Sequence, residues 1–360
     1  MKRKTKTTLT ALCFLLPNLL GFFVFMCGPV IFSLVVAFTN WNLTKTIPLR
    51  WIGFDNFAKL LELKSEFWPY LVNTVYLMMG MPIAIAGSLF LAVLLSQRLK
   101  GVVVYRTLFY LPMFTAGVAM LILWKKLYNP DFGPINLAIE GIWGYLRLGD
   151  ACEVIGTGVL YNRPDSEVLR SLIHDVGWWF KGVLPEWLNS FEAPDWLSST
   201  HNLLAVGAEQ LGFDRKQFGL GAKDAIIIMG IWTVVGGSNM LLYLAGISNI
   251  PQDLYEAADI DGAGAWARFR HVTWPQLAPT TFFIVIMSFI GGLQGGFEQA
   301  RVMTNGGPAG ATTTLTFYLY TKAFQEFQIG YASAIAWILF AVIFSITLMN
   351  WRFGSRYVNY

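Results

Sequence analysis

Glu256-Ala257-Ala258-Asp259-Ile260-Asp261-Gly262, followed after a nine-residue spacer by Val272-Thr273-Trp274-Pro275, sits between two strongly apolar segments. Just upstream, Pro251 suits the first turn of a helix, where a missing N–H costs nothing. Asp253 and Glu256 then lie toward the positive end of that helix, where negative charge is favoured. Ala257 and Ala258 are small and permit close approach of another surface. Gly262 can adopt the left-handed conformation that ends a helix. A second short helix through Trp266 and Phe269 is expected to run until Pro275. The reading is a helix–turn–helix knuckle between two apolar stretches.

Composition extends that reading to the whole chain. The 360 residues are 55% hydrophobic and 13% charged, with mean hydropathy +0.51, against about 25% charge in soluble domains. So few charges cannot cover a water-facing surface, and much of the exterior is expected to face lipid. A net charge of +4 is too small to argue for nucleic acid. Of the three cysteines, Cys13 and Cys27 fall in the first apolar segment and Cys152 in a loop. They form no C-x-x-C or Cys/His cluster, so neither a disulfide framework nor a zinc site is expected.

A helix crosses a bilayer with about 20 apolar residues. Six segments meet or approach that length: Ala11–Phe38, Asn73–Ser96, Val102–Trp124, Asp224–Ile247, Pro279–Phe297 and Tyr331–Trp351. The first has a basic start but runs longer than a signal-peptide core and lacks an A-x-A cleavage site, so it reads as a span. Kinks are expected there at Pro17 and Gly28-Pro29. Short-loop Lys and Arg residues (Lys2 to Lys6, Arg98, Lys100, Arg106, Arg268, Arg270, Arg352, Arg356) place both termini and the knuckle in the cytoplasm. The expected organisation is a cytoplasmic N-terminus (1–10), helices one to three (11–124), an extracytoplasmic loop (125–223), helices four to six (224–351) carrying the knuckle at 249–279, and a cytoplasmic C-terminus (352–360).

The loop from Lys125 to Lys223 is long enough to be functional or a domain in its own right. It holds Trp143, Trp178, Trp179, Trp187 and Trp196, and a small repeat in which Pro185-Glu186-Trp187-Leu188-Asn189-Ser190 echoes as Pro194-Asp195-Trp196-Leu197-Ser198-Ser199. Two readings stand: a segment lying in the membrane interface, or a small globular insertion with its own core.

The knuckle's pattern, E-A-A-x3-G-x9-V-x-W-P, resembles the cytoplasmic loop of bacterial ABC-type importer permeases, usually written E-A-A-x3-G-x9-I-x-L-P. Val272 and Trp274 depart from it but keep apolar anchors. The resemblance extends to Phe109-Tyr110-Leu111-Pro112, Trp124, Asn129 to Asn136, Tyr243 to Ile247, Ile250 to Tyr255, Asn305-Gly306-Gly307-Pro308 and Gly330 to Ala334. It covers most of the chain except Leu137 to Gly221, and points to the maltose/glycerol-3-phosphate branch. It implies an all-α polytopic inner-membrane protein of about six helices. It also implies these partners: a second permease subunit, two ATPase subunits docked on the cytoplasmic loops, an extracytoplasmic solute-binding protein, and a sugar substrate. Glu256, Ala257, Ala258, Asp261, Gly262 and Pro275 would carry the ATPase coupling. No G-x4-G-K-[ST] is present, so no bound cofactor is expected; ATP and Mg would belong to the partner ATPase.

A transported sugar needs hydroxyl partners and an apolar or aromatic face inside the bundle, and polar groups at membrane depth usually face a cavity. The candidates are Trp232, Ser238 and Asn239 in the fourth segment, and Ser288, Gln294 and Phe297 in the fifth. The plainer reading of the Gly and Ser residues there is helix packing. Glu298 and Arg301 are expected to pair at the outer end. No cationic cluster is visible inside the spans, which favours a neutral sugar over a phosphorylated polyol. A membrane-embedded enzyme would need a nucleophile, metal ligands or paired carboxylates. There is no H-E-x-x-H, no G-x-S-x-G and no intramembrane Asp pair, and His174, His201 and His271 are scattered. An ABC exporter is disfavoured because the E-A-A loop is an importer feature.

Overall fold

The computed structural model describes residues 14–44, 48–97, 100–114, 117–145, 194–203 and 220–354. Cys13, Cys152, His174, Trp178, Trp179, Trp187 and the first copy of the small repeat lie outside them. Among the described residues the chain is helical, with one isolated bridge pairing Thr39 with Trp51. Five helical stretches are long and apolar enough to cross a membrane: Phe14–Ala37, Phe67–Ser96, Ala222–Ser248, Ala278–Thr304 and Ile329–Arg352. They correspond to the first, second, fourth, fifth and sixth segments of the sequence reading.

The third segment reaches the length of a span only as a sharply bent pair of helices. Val102–Met113 and Gly117–Leu127 meet at 91°. Pro112 lies inside the first half, where it lacks an N–H and its ring crowds the carbonyl four residues back. Gly117 opens the second half, and a Cβ there would stand 3.1 Å from Glu298 Oε2.

Proline and glycine also shape the other spans. In the first, the helix runs through Pro17, so only one of the two expected kink sites perturbs it. Ahead of Pro29 the chain takes a π-helical turn over Phe23–Cys27, closed by Gly28 N–H donating to the Phe23 carbonyl. The second span passes through a 3-10 turn at Met78–Gly80 before Pro82. The fourth breaks at Gly236–Gly237, between Ala222–Val235 and Ser238–Ser248. The fifth breaks after Gln294, where Gly296 takes φ +82°.

The second and fourth spans approach closely because glycines line the contact. A Cβ on Gly80 would lie 2.7 Å from Ile227 Cγ2, and one on Gly87 2.8 Å from Val235 Cγ2. Ser88 Oγ adds a hydrogen bond to the Val234 carbonyl at 3.3 Å. Small residues at such contacts are what packing in lipid requires, since apolar burial between helices gains little there. The first and sixth spans are tied by Trp337 Nε1 donating to Ser33 Oγ at 3.2 Å and by Gly330 N–H donating to the Trp41 carbonyl at 3.0 Å.

The described part of the long loop packs against a small core at the start of the fourth span. Trp196 is buried against Tyr128, with ring centroids 5.2 Å apart. Its Nε1 donates to Asn136 Oδ1 at 2.6 Å, and Asn136 Nδ2 donates to the Pro194 carbonyl at 3.2 Å. Tyr128 donates its hydroxyl to the Ala225 carbonyl at 2.9 Å, and burial pushes that hydroxyl's pKa up. Trp196 and Leu197 thus pack onto the ends of the membrane segments, beside Met120, Trp124, Ile226 and Met303, rather than around a core of their own. Asn136→Ala strands the indole N–H in this core, at a cost of about 1–3 kcal/mol. The expected result is a lower melting temperature in detergent with uptake retained, checked by thermal denaturation followed at the tryptophans.

Candidate functional site: an exposed knuckle and a polar cavity

The knuckle joins the fourth span to the fifth. Its first arm is the helix Gln252–Ile260. Pro251 is the extended residue before that helix (φ −57°, ψ 134°) rather than part of its first turn, while Asp253 occupies the first turn. The helix ends in a Schellman turn. Ala263 N–H donates to the Ala258 carbonyl at 2.9 Å, Gly262 N–H to the Asp259 carbonyl at 3.1 Å, and Gly262 sits at φ +73°. Asp261 is the cap residue between helix and turn.

The second arm does not stop at Pro275 as expected. It runs Ala265–Arg268, a π turn Phe269–Thr273, then Trp274–Gln276. Pro275 falls at the start of that last turn, where its missing N–H is tolerated. Leu277 N–H donates to the Thr273 carbonyl at 3.1 Å, and the chain continues into Ala278–Gln294. Arg268 Nη1 meets Asp259 Oδ1 at 2.6 Å across the two arms, and the Tyr255 and Thr273 hydroxyls lie 3.0 Å apart. The ion pair is solvent-exposed, so it steers geometry more than it stabilises.

Of the six residues expected to carry coupling, Glu256, Ala257, Asp261, Gly262 and Pro275 are exposed. Ala258 is buried, and its carbonyl accepts the Schellman bond from Ala263 N–H, so it sits inside the knuckle rather than on its surface. Two residues the sequence reading did not single out for this role stand out at the tip. Ile260 is 87% exposed and Trp266 70%. Large apolar side chains rimmed by Asp253, Glu256 and Arg270 mark an interaction surface.

The second feature is a cavity of about 410 Å³ between the second, fourth and fifth spans. Ser238, Asn239 and Ser288 line it, as expected. So do Thr74, Thr233, Gln299 and Thr314, which the sequence reading missed. Met78, Met81 and Ile231 supply apolar walls. Trp232, Gln294 and Phe297 are not in its lining. Trp232 packs edge-to-face on Trp124 at 5.5 Å, Gln294 is exposed on its span, and Phe297 packs on Tyr320 at 5.0 Å. The breaks at Gly236–Gly237 and Gly295–Gly296 lie beside this cavity. A Cβ on Gly296 would come within 2.5 Å of Thr314 Cγ2, so the close approach of loop and span depends on glycine there. Irregular backbone at membrane depth is tolerated where it lines a cavity, and broken helices frame solute sites in transporters.

Glu298 and Arg301 do not pair. The Arg301 guanidinium instead lies over the Tyr320 ring at 4.7 Å and the Phe297 ring at 5.8 Å.

Broken membrane helices around a largely apolar cavity dotted with hydroxyls and amides, with a rigid knuckle protruding at one end, define the class: a polytopic membrane transport component. The chain belongs to the family of binding-protein-dependent transport system inner membrane components, whose family model matches residues 70–357. It is 30% identical over 359 residues to the probable ABC transporter permease protein YesP of Bacillus subtilis (strain 168), covering 99% of this chain and 93% of that one. It is 28% identical to the lactose transport system permease protein LacF of Rhizobium radiobacter, covering 94% and 91% of the two chains. It is 23% identical to the sn-glycerol-3-phosphate transport system permease protein UgpA of Yersinia enterocolitica serotype O:8 / biotype 1B, covering 94% and 90%. Its fold is similar to a chain in the crystal structure of a bacterial ABC transporter involved in import of the acidic polysaccharide alginate, with TM-score 0.71, 20% identity and 99% of both chains covered.

Proposed function

We propose that this chain is one permease subunit of an ATP-driven importer for a sugar or oligosaccharide. A second permease completes the path, two ATPase subunits dock on the knuckles, and an extracytoplasmic solute-binding protein delivers the substrate. ATP and Mg are used by the partner ATPase, and this chain supplies no catalytic group. Both termini and the knuckle face the cytoplasm, and the insertion after the third segment faces outward.

The observation that carries the reading is the knuckle. It is a stiff element, closed by a glycine turn and cross-braced between its arms, with an apolar tip in solvent and a direct helical continuation into the fifth span. A push on Ile260 and Trp266 is transmitted through Leu277 into the helix that walls the cavity. The cavity's hydroxyls and amides, set among methionine and isoleucine, suit a polyhydroxylated solute. Relatives named for lactose and for glycerol-3-phosphate transport support a small polyhydroxylated substrate.

The test is purification of the tagged chain from native membranes in mild detergent. Co-purification of an ATPase and a second permease is the expected result. Recovery of this chain alone, folded and monodisperse, would count against the assignment.

A further inference from the structure

At the end of the fifth span away from the knuckle, one helical turn carries two exposed charges, Glu298 and Arg301, three residues apart. Among the described residues neither has an ion-pair partner. The Arg301 guanidinium lies over the Tyr320 ring, and Tyr320 in turn meets Phe324, with ring centroids 5.3 Å apart. Phe324 is 59% exposed. Phe297 backs this shelf from beneath, packed on Tyr320.

The shelf begins where the cavity ends, because Gly296 and Gln299 line the cavity and belong to the same turn as Phe297 and Arg301. The cavity, at about 410 Å³, is near the low end of small-ligand pockets, which span about 300–1,000 Å³. A chain of several sugar rings therefore extends beyond it, and the shelf is the next surface it meets.

The chemistry of the shelf fits a sugar ring. A pyranose presents a face of C–H groups, which packs on an aromatic ring, and a rim of hydroxyls. A guanidinium lying over aromatic rings keeps N–H groups free to donate to those hydroxyls.

We propose that Arg301, Tyr320 and Phe324 form an outer sugar subsite at which substrates of three or more rings gain a contact that single sugars do not reach. This rests on the sugar-import reading above. The inner ring of the substrate occupies the cavity and an outer ring stacks on the shelf.

The experiment offers intact cells partial hydrolysates of mixed polysaccharides and follows depletion of each sugar by mass spectrometry, comparing wild type with a strain lacking this chain. The sugars that wild type takes up are then measured singly, by chain length, in Phe324→Ala, Arg301→Gln and Phe324→Trp. The expected result is a KM raised about tenfold for trisaccharides and longer in the first two variants. Maximal rate, and uptake of mono- and disaccharides, should stay within about twofold of wild type. Phe324→Trp should behave as wild type. Equal loss at every chain length, or no change at any, overturns the subsite. Wild type and the deletion strain depleting every sugar alike overturns the sugar reading itself, a separately visible outcome.

Discussion

Gly262→Val leaves the chain in the membrane at wild-type abundance and lowers sugar uptake by about tenfold or more, while ATP hydrolysis by the assembled transporter persists. The reason lies in the backbone. Gly262 sits at φ +73°, and a Cβ built there meets nothing within 4 Å, so the substitution produces no clash. It places a β-branched residue in the left-handed region, a strain on the order of 1–3 kcal/mol. At about 1.4 kcal/mol per factor of ten in a population, that is enough to shift the knuckle out of its closed turn. The bonds lost are those from Ala263 N–H to the Ala258 carbonyl and from Gly262 N–H to the Asp259 carbonyl. Without them the first arm is no longer rigidly joined to the second, and a push on it is dissipated. Parallel uptake and ATPase assays on reconstituted transporter check this, and unchanged uptake would sink the coupling argument.

Gly236→Val acts on the fold rather than on coupling. A Cβ at Gly236 would overlap the Phe109 carbonyl oxygen. The obstructing atom is backbone, so no rotamer change relieves it, and the fourth span must separate from the third segment. Overpacking of even well-accommodated sites costs about 1–3 kcal/mol; a clash with a rigid backbone belongs at or above the upper end. The expected outcome is loss of monodisperse protein on size exclusion in detergent. Gly237→Ala is the control, because its nearest neighbours are the Val234 and Thr233 carbonyls at 3.3 and 3.4 Å, and it should retain most of the folded material. Equal behaviour of the two variants would show that the approach to Phe109 is not a fixed part of the fold.

Much of this architecture is visible in the chain before any coordinates. Spans announce themselves by apolar length, and Gly262 is placed at the helix end by residue type alone. What the sequence conceals is three-dimensional. Pro112 signals trouble in the third segment, but a proline in a membrane helix gives either a kink or a full break, and only packing around Gly117 and Gly236 decides between them. Pro275 reads as a stop signal, yet the π turn before it leaves the proline at a helix start. Trp232 looks like a path residue because aromatic rings suit sugars, but its contact is with Trp124. Thr74 and Thr233 carry no signal in the sequence, because a helical threonine ordinarily bonds its own backbone. Both do so here, to the Tyr70 and Met229 carbonyls at 2.8 Å, and still border the cavity. The knuckle is legible because its spacing is local; the cavity depends on which helix faces meet.

The central claim is that the knuckle receives an ATPase on the cytoplasmic side. A photoreactive amino acid placed at Ile260 in the intact transporter tests it most directly, with the same probe at Leu63, 93% exposed ahead of the second span, as the opposite-side comparison. The account predicts that irradiation joins position 260 to the nucleotide-binding partner and that position 63 gives no such product. An ATPase crosslink from position 63 and none from position 260 would contradict both the orientation and the coupling role.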